Sequence, residues 1–257
     1  MTEAARLDDI ATAPLAGRRA FVTGGSRGIG AGIVRRLAAD GAAVAFTYRE
    51  SKDPATSLER EIIGSGGQAL AVQADSEDPD ALRAAISEAV ERFGGLEILV
   101  NNAGTSHAAP IEEFPMAEFD RIVGVNVRAI FVAIQAALPH LGPGGRIISI
   151  GSVLADRAPY SGISVYSLTK AAVAGLSRIL ARELGPRGIT VNTVQPGPVD
   201  TDMNPDSGEF AAAVRSLTAV GHYAQPHDIA DVVAFLARPE ARFVTGAAWN
   251  VDGGYAL

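Results

Sequence analysis

Tyr166-Ser167-Leu168-Thr169-Lys170 sets a phenol and an ammonium four residues apart. On a helix the two lie on one face, a turn from each other. A phenol titrates near ~10 and is a weak acid at neutral pH. A cation held close favours the phenolate and draws that value toward working pH. Together the two side chains could make a proton-transfer group. The spacing arises by chance in many helices, so its meaning depends on what the rest of the chain brings to it. Of the 22 basic residues only Lys52 and Lys170 are lysines. In a chain that otherwise uses arginine, Lys170 hints at a position that needs a compact ammonium.

A second chemical element lies near the start. Arg18 to Thr23 is a short apolar run with the character of a buried strand. Gly24-Gly25-Ser26-Arg27-Gly28-Ile29-Gly30 follows, and then a helical pattern on Ile29, Ile33 and Leu37. Strand, glycine-rich turn and helix are the context a phosphate-binding loop requires: the glycines let the backbone approach a pyrophosphate, and the helix end supplies free N–H groups. The glycines stand at 24, 28 and 30, a different spacing from the usual dinucleotide fingerprint. A tight turn that binds nothing is the plain alternative.

Ala43 to Tyr48 is the next strand, and its end is where an acid would read the ribose 2′-OH of NAD. Tyr48 stands there, followed by Arg49, Ser51 and Lys52, with Arg27 in the glycine loop. Two guanidinium groups and no acid at the strand end suit a 2′-phosphate. NADP is therefore favoured, and Glu50 keeps NAD open.

Strand and helix then alternate without a linker, repeat or low-complexity segment. Helices are expected near 54–65, 79–93, 115–141, 164–184 and 227–237, and strands at 69–73, 96–100, 146–150, 188–195 and 247–251. Asn101-Asn102-Ala103-Gly104 follows a buried strand, and such small residues and amides suit a ligand pressed against backbone at a sheet edge. Asn126 sits among apolar neighbours and needs partners if buried. Residues 202–225 are the least periodic and are a candidate lid. The pattern predicts an α/β fold: a single doubly wound Rossmann-type domain over 17–257, with a mostly parallel seven-stranded sheet and helices on both faces, after a loosely ordered extension over 1–16.

Composition narrows the function. The 257 residues carry a net charge of −7, against nucleic acid as a partner, and no cysteine. The four histidines lack metal-ligand spacing, so no metal is expected. No signal peptide or membrane-length apolar run is present, which makes a cytoplasmic location the default.

Over about residues 17–254 the chain resembles the classical short-chain dehydrogenase/reductases. Thr23 to Gly30 is similar to that family's T-G-x-x-x-G-x-G loop, Asn101 to Gly104 to its N-N-A-G, Tyr166 to Lys170 to its Y-x-x-x-K, and Pro196-Gly197 to its P-G. The resemblance, which includes 3-oxoacyl-ACP reductase-like members, implies an NADPH-dependent carbonyl reductase, or alcohol dehydrogenase in reverse. Tyr166 would donate the proton. Lys170 would hold the nicotinamide ribose and lower the Tyr166 pKa, Ser152 would bond the carbonyl oxygen, and Asn126 would help hold a water chain to Lys170. Cofactor contacts are implied for Gly24, Ser26, Arg27, Gly28, Ile29 and Gly30 at the pyrophosphate, and for Arg49 with Arg27 at the 2′-phosphate, beside Tyr48 and Ser51. Asp75 and Ser76 are implied for adenine, and Asn102, Ala103 and Gly104 for the adenosine side. Val199 and Thr201, after Pro196 and Gly197, are implied for the carboxamide. A small-molecule carbonyl or alcohol substrate and a homotetramer, with helices around 115–141 and 164–184 at one interface, are also implied.

Two departures touch the substrate side. The Ser152–Tyr166 interval is 14, where many members have 13. Gly221-His222-Tyr223-Ala224-Gln225 replaces the arginine-containing pattern many members carry before the corresponding proline. His107, Tyr160, His222 and Tyr223 are loop residues that could reach a substrate. The competing readings are a non-catalytic nucleotide-binding scaffold or sensor, an NAD-dependent alcohol dehydrogenase, an epimerase or dehydratase, and an enoyl reductase. Both 3-oxoacyl and cyclic or polyketide ketones are open as substrates.

Overall fold

The computed structural model describes residues 13–257. Residues 1–12 of the expected 1–16 extension lie outside the described residues. From Leu15 the chain is anchored: its side chain is fully buried and its N–H donates to the Asp40 carbonyl at 2.8 Å.

Seven strands form one parallel sheet in the order β3-β2-β1-β4-β5-β6-β7. They are β1 (Arg19–Val22), β2 (Ala43–Tyr48), β3 (Gln68–Gln73), β4 (Ile98–Asn101), β5 (Arg146–Ile150), β6 (Thr190–Pro196) and β7 (Ala248–Val251). The central strands are buried along their whole length, as in AVAFTY and RIISI. That is the signature of strands covered on both faces. The main helices are α1 (Gly28–Ala39), α2 (Lys52–Gly64), α3 (Pro79–Phe93), α4 (Met116–Val123), α5 (Ala129–Ala137), α6 (Ser164–Leu184), α7 (Gly208–Leu217) and α8 (Pro226–Ala237).

The helices bury apolar stripes in two clusters. One gathers Ile33, Val34 and Leu37 of α1 with Ile229 and Val233 of α8. The other gathers Leu82 and Ile86 of α3 with Ile130 and Ile134 of α5 and Val173 of α6. Strand order reverses at β1, whose neighbours are β2 and β4. The crevice beyond the carboxyl ends of β1 and β4 is the place such a sheet offers a ligand.

Two expectations change. The 115–141 stretch is not one regular helix: between α4 and α5 the turn Gly124–Arg128 is wound as a π-helix, with Asn126 inside it. Residues 202–225 are not irregular throughout, since α7 lies within them. That helix buries only Ala211 and Val214, too thin a stripe to show as a period. Among the described residues no helix is long and apolar enough to cross a membrane.

Candidate active site

The site grows from strand ends. The Thr23 hydroxyl, just past β1, accepts the N–H groups of Asn102 and Ala103, both at 3.0 Å, and so ties the glycine loop to the end of β4. The Gly24 N–H donates to the Thr47 hydroxyl at 3.0 Å. Gly30 has to lack a side chain, because a Cβ there would run into the Gly24 carbonyl oxygen and stand 2.5 Å from Asn102 Nδ2. At the start of α1, Arg27 makes no side-chain cap and the first turn holds no acid. Uncapped N–H groups and the positive end of the helix dipole therefore face the cleft. This donor set fits the pyrophosphate of a dinucleotide.

The cleft has a volume of about 810 Å³, toward the top of the ~300–1,000 Å³ range of small-molecule sites. Every cofactor and catalytic residue expected from the sequence lines it, with the single exception of Asn126. Tyr48, Arg49, Ser51, Asp75 and Ser76 form one end, and Ser152, Tyr166 and Lys170 the other. Glu50 also lines the cleft, and its carboxylate is 3.2 Å from Arg49 Nε. Arg27 is 3.5 Å from Asp202. Both pairs are exposed, and such pairs hold weakly, so neither guanidinium is locked away from a phosphate.

At the other end Lys170 is buried, and its Nζ donates to the Ile150 carbonyl at 2.9 Å. It stands 5.5 Å from the centroid of the Tyr166 ring. Burial pushes Lys170 down to about 8. Burial also pushes the Tyr166 phenol up to about 12, with a hydrogen bond to Ser152 working the other way and Tyr160 adding to the rise. The expected lowering of the Tyr166 pKa by Lys170 is thus reversed. The ammonium is directed at a backbone carbonyl rather than at the phenol, and loss of water outweighs its field. The phenol stays protonated at neutral pH, while the ammonium keeps its charge.

Ser152 is buried, and its hydroxyl accepts the Leu154 N–H at 3.1 Å. Gln195 Nε2 donates to the Ser152 carbonyl at 3.2 Å and to Asp156 Oδ2 at 2.8 Å. Asn126 is fully buried and braces the site from behind. Its Oδ1 accepts the Thr105 N–H at 2.9 Å, and its Nδ2 donates to the Thr105 carbonyl at 2.9 Å and to the Thr169 hydroxyl at 3.1 Å. Thr169 donates in turn to the Tyr166 carbonyl at 2.8 Å. Arg121, paired with Glu118, donates to the Thr105 hydroxyl at 2.6 Å. Asn126 bonds to Thr105 and Thr169 and makes no direct side-chain hydrogen bond to Lys170. Thr105, Thr169 and Gln195 were missed in the sequence. None of the three carried a readable signal: the strand of Gln195 also holds Thr190, Asn192 and Thr193.

On the substrate side His107, Tyr160, Met203, Phe210 and Tyr255 line the cleft. His222 and Tyr223 do not. Tyr223 is buried in a small apolar cluster with Val153, Ala211, Val214 and Tyr255, and His222 Nδ1 lies 2.9 Å from the Tyr223 carbonyl. Among the described residues no three His, Cys, Asp or Glu side chains are grouped to hold a metal.

These features agree with known proteins. The family profile described as enoyl-(acyl carrier protein) reductase matches residues 24–256. A solved dehydrogenase/reductase from Sinorhizobium meliloti 1021 is 55% identical with a TM-score of 0.95, covering 97% of this chain and 100% of that one. A short-chain dehydrogenase from Burkholderia cenocepacia J2315, solved in complex with NADP, is 52% identical with a TM-score of 0.93, over 95% of this chain and 100% of its own. The cyclic-di-GMP-binding biofilm dispersal mediator protein of Escherichia coli (strain K12) is 45% identical over 239 residues, 93% of this chain and 97% of that protein. The chain belongs to the short-chain dehydrogenase/reductase family of NAD(P)-dependent oxidoreductases.

Proposed function

We propose that the protein is an NADPH-dependent carbonyl reductase with Tyr166 as its proton donor. The observation that carries this reading is that Ser152, Tyr166 and Lys170 line the same cleft as an uncapped helix N-terminus and two arginines. Solved relatives at 52% identity in complex with NADPH or NADP support the choice of cofactor.

In the cleft Gly24 to Gly30 would hold the pyrophosphate, Arg49 and Arg27 would meet the 2′-phosphate, and Asp75 and Ser76 would flank the adenine. Asn102, Ala103 and Gly104 form the opposite wall of the adenosine side. Val199 and Thr201, past Pro196 and Gly197, would hold the carboxamide, and Lys170 the ribose. The bound cofactor supplies the hydride. As negative charge grows on the carbonyl oxygen, the hydroxyls of Ser152 and Tyr166 aim hydrogen bonds at it. Tyr166 then releases its proton to that oxygen.

Replacing Tyr166 by Phe tests this. NADPH still binds, read by its fluorescence, while turnover with ketones drops at least ~100-fold, the usual weight of a positioned general acid. Near-normal turnover removes the mechanism. A nucleotide-sensing role is the second reading, favoured by the name of the Escherichia coli relative. Titration of the purified protein with cyclic-di-GMP, alongside NADPH oxidation with a ketone and with an enoyl thioester, separates sensor, carbonyl reductase and enoyl reductase.

A further inference from the structure

The mouth of the cleft carries an aromatic pair that joins two otherwise separate walls. Tyr160 lies in the loop between β5 and α6, and Phe210 on α7. Their ring centroids are 5.6 Å apart with the planes at 79°. Both rings line the cleft, and both keep much of their surface open, 37% for Tyr160 and 56% for Phe210. Met203, 59% exposed, lines the same mouth. Apolar surface grouped at the mouth of a reaction cleft is completed by an apolar ligand.

The charge at this end points the same way. Arg121 is the one arginine on the substrate side of the lining, and it is spent on Glu118 and Thr105. His107 Nδ1 stands 3.8 Å from the same Glu118 carboxylate. Lys170, the other cation at this end, is buried and bonded to the Ile150 carbonyl, so an anionic substrate would shed its water here and find, among the described residues, no cation without a partner, a penalty that neutral ketones escape.

The wall bearing Phe210 is built to shift. It rests on the five-residue cluster of Val153, Ala211, Val214, Tyr223 and Tyr255, outside the two large cores. Gly208 and Gly221 bracket the helix with φ of +82° and +77°, and nothing stands within 4 Å of where a Cβ would be. Glycine is there for the left-handed backbone rather than for space, and a few such positions can absorb a hinge motion. Val153 follows Ser152 directly, so the wall bears on the catalytic strand end.

Resting on the carbonyl-reductase reading above, we infer that the substrate is a flat, uncharged cyclic or aryl ketone, and that Tyr160 and Phe210 form an aromatic latch that parts to admit the ring and closes over it. At 5.6 Å the pair has no room for a third ring between its members. The substrate ring lies beneath them, with its carbonyl toward Ser152 and Tyr166. Tyr160 and Phe210 are thereby specificity-determining residues.

The test compares kcat/KM with NADPH for 2-tetralone, 2-decanone and phenylpyruvate: ring, chain and anion. The wild type favours 2-tetralone over both others. Phe210→Ala and Tyr160→Leu each lower the 2-tetralone to 2-decanone ratio, by about tenfold, chiefly through KM, as expected for a lost ring contact. The double variant falls little further, because the two rings act as one contact. Phe210 is exposed enough that its removal leaves the fold standing, which thermal denaturation checks. A ratio unmoved in all three variants, or phenylpyruvate as good a substrate as 2-tetralone, overturns the inference while leaving the reductase intact. No NADPH consumption with any carbonyl compound removes the reductase reading and this inference with it.

Discussion

Lys170 shows how a side chain proposed to hold a cofactor can weaken the fold around it. Its ammonium is buried against one carbonyl, and burial alone brings it down to about 8 from the ordinary 10.5. Below pH 8 the folded protein carries a poorly solvated charge. Between about 8 and 10.5 the unfolded chain binds the proton and the folded one does not, so this residue makes stability rise with pH across that window. The shift corresponds to about 3 kcal/mol. Lys170→Met is therefore expected to lose turnover and yet be more stable than the wild type at pH 7, by about 1–3 kcal/mol once the lost bond to Ile150 is allowed for. The gain should shrink as pH rises from 8 to 10. Urea denaturation of both proteins at pH 7 and pH 10 reads the difference. An advantage that is the same at both pH values would mean that the buried charge is not its source.

Between elements, the Tyr166 end of the cleft is held by one line of hydrogen bonds: Arg121 on α4 to Thr105, Thr105 to Asn126 in the π-wound turn, Asn126 to Thr169 on α6, and Thr169 to the carbonyl of Tyr166. A π-turn inserts a residue into a helix and is often found where a side chain must be re-aimed; here the re-aimed side chain is an amide with all three of its protein bonds on neighbouring elements. Thr105→Val removes the bond from Arg121 and leaves the backbone bonds to Asn126. Its kcat should fall about 3–10-fold with the KM for NADPH little moved, since a bond to a charged group is worth ~1.5–3 kcal/mol and only part of it reaches the reacting atoms. Thr105→Ser keeps the hydroxyl and should restore the rate; a serine variant as slow as the valine one would show that the methyl group matters instead. Little of this brace was legible in the sequence. The β–α alternation was, because fully buried strands such as AVAFTY and RIISI read as continuous apolar runs, and the glycine loop was, because Gly24, Gly28 and Gly30 sit where strand gives way to helix. What stayed hidden has a common cause. The π-turn leaves no period of its own, α7 buries two residues only, and the rise of the Tyr166 pKa depends on burial by segments remote in sequence.

Across the whole molecule, α6 presents two faces with different tasks. One packs Val165, Val173 and Ala181 inward and carries Lys170. The other leaves Leu168 and Ile179 each 53% exposed, with Ala171, Ala172 and the small Gly175 between them. These positions recur at three and four residues and so form one stripe on the helix. Phe131 on α5 adds a further exposed ring, 49% open. An apolar stripe of this kind, flanked by small residues that allow close approach, suits helix packing against a second copy. The homotetramer implied by the sequence would use it, and assembly and catalysis would then share a helix. Light scattering on the wild type should give four times the 26.5 kDa chain mass. Leu168→Glu with Ile179→Glu places two charges in the proposed seam, where each would be buried unpaired. The variant should run at a smaller mass and, with α6 no longer clamped, turn over more slowly at low protein concentration than at high. Unchanged mass in that variant would move the interface elsewhere on the surface and free the catalytic helix from any part in assembly.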